Sequence, residues 1–194
     1  TSGTTGFPKG CMQSQNFWVT VGCIAALQYK NIKSGLGDSP FFYIDDQFMV
    51  IMGLYAGMTV HVPKGMSVSR FLDWIEDHQI ELAYFPTPIL ETTPSPRDKT
   101  TPLKKFIGFA LNAELTRLAE KRFNVVTRDS FGMTEIGAGL MVPDTIDSDA
   151  ALNSCGLPAA FREVKIVDDN GNEVEAGNSG ELWIKGAGII KGYY

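Results

Sequence analysis

Between residues 58 and 128 strand-like and helix-like segments alternate at short intervals, and that alternation constrains the fold more than any other feature. Met58 to Val62 reads as a strand. Ser67 can cap a helix in which Val68, Phe71, Leu72 and Ile75 fall at i, i+3, i+4 and i+7. Ile80 to Phe85 is a second strand, stopped by Pro86, and Lys105 to Phe109 a third. Asn112 opens another helix, with Leu115, Leu118 and Ala119 on one face, and Asn124 to Arg128 closes the series as a strand. Strands separated by helices favour parallel pairing, so the fold class predicted is α/β, a parallel-rich sheet covered by helices.

The flanks are read in the same way. Residues 13–29 form a mostly apolar helix, Ser34-Gly35-Leu36-Gly37 a Gly-rich break, residues near 40–44 a buried strand, and 47–56 a helix ended by Gly57. Three prolines between Thr92 and Pro102 predict a surface loop. From about residue 160 helical periodicity stops. Glu163 to Val167 and Glu181 to Lys185 read as strands, with Asn170-Gly171 as a hairpin turn between them. Residues 1–158 are therefore expected to be an α/β core segment, and 159–194 a small antiparallel β subdomain.

Composition excludes several classes. The chain is 44% hydrophobic and 20% charged, which fits a globular domain and not a disordered one. No apolar run approaches the ~18 residues of a membrane span, and nothing resembles a signal peptide. A net charge of −5 argues against non-specific nucleic-acid binding. Cys11, Cys23 and Cys155 have no C-x-x-C spacing, which predicts free thiols in a reducing cytoplasm. The only histidines are His61, in a strand-like run, and His78, at a helix end, and both are read as structural.

The opening T-S-G-T-T-G-F-P-K-G carries the strongest chemical signal. Seven of its ten residues are Gly, Ser or Thr, and Lys9 is its one charge. Glycines let successive amides converge into an anion nest, hydroxyls of Thr1, Ser2, Thr4 and Thr5 add donors, and Lys9 adds a mobile cation. These parts suit a polyphosphate; the alternative is a flexible linker. The spacing departs from G-x-x-x-x-G-K-[ST], so an ordinary P-loop is disfavoured.

Three further segments matter. Ser130-Phe131-Gly132-Met133-Thr134-Glu135 offers a flat ring, a glycine, a hydroxyl and a carboxylate able to bind Mg²⁺. Pro40-Phe41-Phe42-Tyr43-Ile44-Asp45-Asp46-Gln47 sets aromatic rings beside carboxylates. That cluster could receive a quaternary ammonium, although core packing of the rings and capping by the aspartates is the simpler reading. Gly180-Glu181-Leu182-Trp183-Ile184-Lys185-Gly186, followed by Lys191-Gly192-Tyr193-Tyr194, is a strand entering a turn.

In this order, the segments resemble the adenylate-forming enzymes, the superfamily of acyl-CoA synthetases, luciferases and peptide-synthetase adenylation domains. The resemblance implies that Thr1, Ser2, Gly3, Thr4, Thr5, Gly6 and Lys9 hold phosphates. It implies further that Phe131 and Gly132 lie near the adenine, that Thr134 bonds a phosphate, and that Glu135 binds Mg²⁺. Lys9, Thr134 and Glu135 are the catalytic candidates; Tyr43 and Asp45 border the acyl pocket. The implied activity is that of an AMP-forming acyl-CoA ligase using ATP, Mg²⁺ and CoA on a small carboxylic acid. Three departures stand out. Phe131 replaces the usual tyrosine, Tyr43 replaces a histidine, and Ala160-Phe161 stands where relatives carry Pro-Gly. Tyr43 cannot pair with an α-ammonium, which disfavours an amino-acid adenylation domain, and the segment around it is most similar to carnitine/crotonobetaine-CoA ligases. A non-catalytic nucleotide-binding relative is the other alternative. Both ends of the chain fall within motifs, so a segment of a longer protein is expected, inactive by itself and without the family's C-terminal lid domain.

Overall fold

The structure is a computed structural model that describes Thr1 and residues 6–194. Its centre is a seven-stranded sheet of β1 (Ser34–Leu36), β2 (Thr59–His61), β3 (Leu82–Tyr84), β4 (Lys105–Phe109), β5 (Val126–Met133), β6 (Gly137–Met141) and β7 (Leu157–Pro158), in the order β2-β1-β3-β4-β5-β6-β7. Pairings from β2 through β5 are parallel, and β5-β6-β7 are antiparallel. A separate antiparallel pair, β8 (Arg162–Val167) and β9 (Glu181–Gly186), follows.

Strand alternation builds two cores, one on each face of the sheet. Leu82, Tyr84 and Ile107 face a cluster with Ile24, Ala25, Met49 and Met52. Their neighbours Ala83 and Phe106 face Phe71, Ile75 and Phe123 on the other side. The first cluster is covered by helices α1 (Gln15–Gln28) and α2 (Ile44–Ala56), the second by α3 (Val68–Asp77) and α4 (Ala113–Phe123). Close approach of α1 to α2 needs Gly22, where a Cβ would sit 2.5 Å from the Tyr55 ring. Asn112 caps α4 by accepting from the Leu115 amide at 2.8 Å. Gly57 ends α2 in the left-handed region at φ 67°. Among the described residues no helix is long and apolar enough to cross a membrane.

Several expectations need correction. The Gly-rich stretch at 34–37 is not a break, because Ser34–Leu36 is the buried strand β1, paired on both sides. Gly35 is there for close packing, since a Cβ would meet Met58 Cε at 2.9 Å. Residues 40–43 are a turn and not a strand, and α2 starts at Ile44. Phe41 and Phe42 are exposed, so the burial that gives aromatics their strand preference is missing, while Asp45 and Asp46 suit the first turn of a helix. Ser67 occupies the α3 N-cap position without a side-chain capping bond. The buried face of α4 is Ala113, Thr116, Ala119 and Phe123; Leu118 points outward. Within the expected loop 92–102, Pro96–Lys99 form a 3-10 turn, and buried Asp98 pairs with Arg122 at 2.7 Å. The fifth strand runs to Met133, so it carries much of the Ser130–Glu135 motif instead of preceding it.

Asn170-Gly171 forms a tight turn, but not the expected hairpin turn between β8 and β9: Val167 pairs with Glu181, and the turn leads into an isolated bridge of Val167 with Glu173. Asp168 and Asn172 pair across it, the Asp168 carboxylate accepts from the Asn170 and Asn172 amides, and Gly171 has φ 82°. Phe161, where the resemblance leads one to expect glycine, adopts φ 63°. A side chain in that region costs about 1–2 kcal/mol.

Candidate active site

The carboxyl ends of parallel strands are where an open α/β sheet presents its ligand crevice. A cavity of about 420 Å³ opens there, bounded by the ends of β4 and β5, by β6, by Tyr29 at the end of α1, and by the start of α2. Its walls are mostly aromatic and aliphatic, with Tyr43, Phe48, Phe109 and Phe131 supplying rings. Asp45 is the one charged residue lining it among the described residues. Tyr84, buried beneath, donates its hydroxyl to the Asp45 carbonyl at 2.6 Å and so fixes the start of α2 against the sheet. Burial raises the Tyr84 and Asp45 pKa values, because each charged form would lose hydration.

Tyr43, Asp45, Phe131, Gly132 and Thr134 thus line one cavity, although almost ninety residues separate the two groups in sequence. Asp46 does not join them. It is 0% exposed and packs against Gly37, with both carboxylate oxygens lacking a hydrogen-bond partner. Burial pushes its pKa up to about 6, the Ser39 amide opposes the shift, and Asp38 and Asp45 add to it. The aromatic-acidic cluster read from residues 40–47 is therefore split. Only Tyr43, Ile44 and Asp45 of that segment face the cavity, while Phe41 and Phe42 are exposed outside it.

Thr134 and Glu135 sit in the tight turn between β5 and β6, closed by the Ile136 amide on the Met133 carbonyl at 3.1 Å. Gly137 leaves this turn at φ 65°, where a Cβ would lie 2.4 Å from Val21 Cγ2. Three residues missed in the sequence hold the turn. Gln13 Nε2 donates to the Thr134 carbonyl at 3.0 Å, and the Ile190 amide donates to the Glu135 carbonyl at 3.0 Å. Arg162, buried and lacking a carboxylate partner, donates to the Ile136 and Ala138 carbonyls and ties β8 to the turn. Desolvation lowers the Arg162 pKa. An arginine at the start of a predicted strand gave no sequence signal of such a role.

Lys9 and Glu135 both contact Tyr193, which the sequence shows only as part of a strand entering a turn. Tyr193 donates its hydroxyl to Glu135 Oε1 at 2.8 Å, and Lys9 Nζ lies 4.9 Å from the centre of the same ring. The Tyr193 phenol pKa is raised, because the Glu135 carboxylate accepts its proton in a hydrogen bond. Lys9 and Thr1 exchange two backbone hydrogen bonds, so the ends of the opening loop meet. Gly6 is exposed; Ser2, Gly3, Thr4 and Thr5 lie outside the described residues.

The other oxygen of Glu135, Oε2, is buried without a partner among the described residues. An unpartnered hard oxygen donor suits a divalent cation such as Mg²⁺. Among the described residues no three His, Cys, Asp or Glu side chains converge on one point. His61 and His78 stack on each other at 4.6 Å and neither lines the cavity; burial and the neighbouring His78 lower the His61 pKa.

A mostly parallel sheet flanked by helices on both faces, with a cavity at the carboxyl ends of its strands, defines an α/β ligand-binding class. Residues 1–194 match the family described as AMP-binding enzyme, and the chain belongs to that family. It is 30% identical over 221 residues to 4-coumarate–CoA ligase 3 of Oryza sativa subsp. japonica, covering 99% of this chain and 38% of that one. It is 26% identical over 204 residues to feruloyl-CoA synthase of Amycolatopsis sp, covering 100% of this chain and 41% of that one. Among solved structures it superposes with TM-score 0.85 on O-succinylbenzoate coenzyme A synthetase from Bacillus subtilis in complex with ATP and magnesium ion, at 27% identity, covering 100% of this chain and 41% of that one. The chain spans about 40% of the length of the curated relatives it matches. The carnitine/crotonobetaine likeness of residues 40–47 finds no support in these relatives.

Proposed function

We propose that the protein is an ATP-dependent, AMP-forming acid–CoA ligase, with this chain supplying its acyl cavity and part of its nucleotide site. The observation that carries the reading is the β5–β6 turn. With the end of β5 it sets Phe131, Gly132 and Thr134 on an apolar cavity, and the next residue, Glu135, has one carboxylate oxygen without a partner among the described residues and the other on Tyr193, whose ring Lys9 approaches. In the proposed reaction a substrate carboxylate oxygen bonds to the α-phosphorus of ATP. The bond to the β-phosphate oxygen breaks, and pyrophosphate leaves with the electron pair. The thiol of CoA then replaces AMP on the acyl carbon.

A carboxylate is already ionised at neutral pH, so no general base is needed in the first step. The chain's contribution is positioning and charge stabilisation. Lys9 and the loop donors Thr1, Ser2, Gly3, Thr4, Thr5 and Gly6 hold the outer phosphates. Thr134 bonds a phosphate, Phe131 and Gly132 border the adenine, and Tyr43 and Asp45 shape the acyl pocket. Mg²⁺, held by Glu135, would neutralise phosphate charge. The aromatic walls suit a planar or apolar acyl group, in line with relatives named for feruloyl, coumarate and succinylbenzoate. Residues 1–158 and 159–194 are read as the α/β and β portions of one larger nucleotide-binding unit. The three cysteines are free, which supports a reducing, cytoplasmic setting.

Pyrophosphate exchange by the full-length protein over a panel of carboxylic acids tests the proposal. Exchange with an aryl or apolar acid, strongly reduced in Glu135→Gln, is expected. A wild-type protein that exchanges with no acid refutes it.

A further inference from the structure

We propose that Tyr193 is a positioning residue that keeps Glu135 available to a metal ion and Lys9 available to phosphate; the proposal rests on the ligase reading above. Its hydroxyl occupies Glu135 Oε1 at 2.8 Å, and the second oxygen, buried and without a partner among the described residues, is left as the ligand atom. Its ring lies 4.9 Å from Lys9 Nζ. Lys9 and Glu135 thus share one tyrosine as a contact, the ammonium against its ring and the carboxylate on its hydroxyl. The ring attracts the ammonium through its quadrupole, so Lys9 is held while its charge stays unneutralised. The phenol fixes the carboxylate rotamer by a charge-assisted bond, as outer-shell donors do for metal-ligating carboxylates.

The backbone around Tyr193 is placed for this task. Residues 10–12 and 191–194 form a short antiparallel ribbon, in which the Met12 amide donates to the Gly192 carbonyl at 3.0 Å. The Lys191 amide returns a bond to the Met12 carbonyl at 3.0 Å, and the Tyr194 amide donates to the Gly10 carbonyl at 2.8 Å. That ribbon starts one residue after Lys9. It ties the loop cation and the phenol into one register, while the Ile190 amide binds the Glu135 carbonyl directly. Tyr193 itself is 48% exposed, so it contributes little to the core, and the loss of its hydroxyl alone should not unfold the protein.

The test uses the full-length protein with Tyr193→Phe, Tyr193→Leu and Glu135→Gln. Mn²⁺ binding in the presence of ATP is read by electron paramagnetic resonance, alongside the Mg²⁺ dependence of pyrophosphate exchange. Tyr193→Phe is expected to weaken Mn²⁺ and raise the half-saturating Mg²⁺ by about tenfold, leaving the KM for the acid and the thermal midpoint unchanged. Tyr193→Leu should additionally raise the KM for ATP, because Lys9 loses its ring. In the Glu135→Gln background, Tyr193→Phe should have no further effect. Wild-type Mn²⁺ affinity in Tyr193→Phe overturns the proposal, as does an undiminished effect in the Glu135→Gln background. A wild-type protein that binds Mn²⁺ with ATP yet exchanges with no acid refutes the ligase reading, and the Mn²⁺ measurement still decides the role of Tyr193.

Discussion

Replacing Asp46 by asparagine should stabilise the protein near neutral pH and do so progressively less in acid. Asp46 is 0% exposed, and among the described residues no donor meets either carboxylate oxygen with hydrogen-bond geometry. Asp38 and Asp45 add like charge, and the carboxyl pKa rises from 3.8 to about 6. Because the folded state holds the proton more tightly, it binds more protons than the unfolded chain between about pH 4 and 6. Stability must therefore fall as pH rises through that window. At about 1.4 kcal/mol per unit, a shift of roughly two units costs the folded state about 3 kcal/mol at pH 7.5 and only about 1 kcal/mol at pH 4.5. Asparagine keeps the shape and cannot ionise. Its own unpaired amide carries a penalty that does not change with pH, so it cancels when the two pH values are compared. Urea denaturation of both proteins at pH 4.5 and 7.5 should show the advantage of Asp46→Asn growing by about 2 kcal/mol between them. An advantage that is flat with pH, or larger in acid, would refute the claim that an unpaired carboxylate is buried in the first turn of α2.

Two further outcomes can be measured. Lys9→Ala should weaken ATP by about tenfold to a hundredfold, the worth of a charge-assisted contact, and AMP much less. Equal losses for the two nucleotides would remove Lys9 from the outer phosphates. Asp98→Ala leaves Arg122 buried beside the Ile89 and Thr92 carbonyls without its carboxylate, and should lower stability by about 3–5 kcal/mol. A loss below 1 kcal/mol in urea denaturation would show that the pair is effectively solvated.

Local signals in the sequence determined most of the elements and the chemistry of the motifs. Lys105–Phe109 is a strand because a short apolar run has strand length, and Asn112 starts a helix because its side chain satisfies a free amide. The family is legible for the same reason, since the motifs that carry the resemblance each lie in consecutive residues. What fails is anything decided by burial. Ser34-Gly35-Leu36 looks like a break and is an inner strand, because a glycine there lets Met49 and Met58 pack onto the sheet. Pro40 to Tyr43 looks like a strand and is a turn, because nothing covers Phe41 and Phe42. Asp45 and Asp46 are adjacent and chemically identical, yet one lines the cavity and the other is sealed behind Gly37. Only the tertiary structure could separate them, since a helix turns its successive side chains by about 100° and the packing around it assigns each an environment. Tyr193 is the same lesson across distance: fifty-eight residues from Glu135 in sequence, it reaches that carboxylate only because the ribbon with residues 10–12 carries it there.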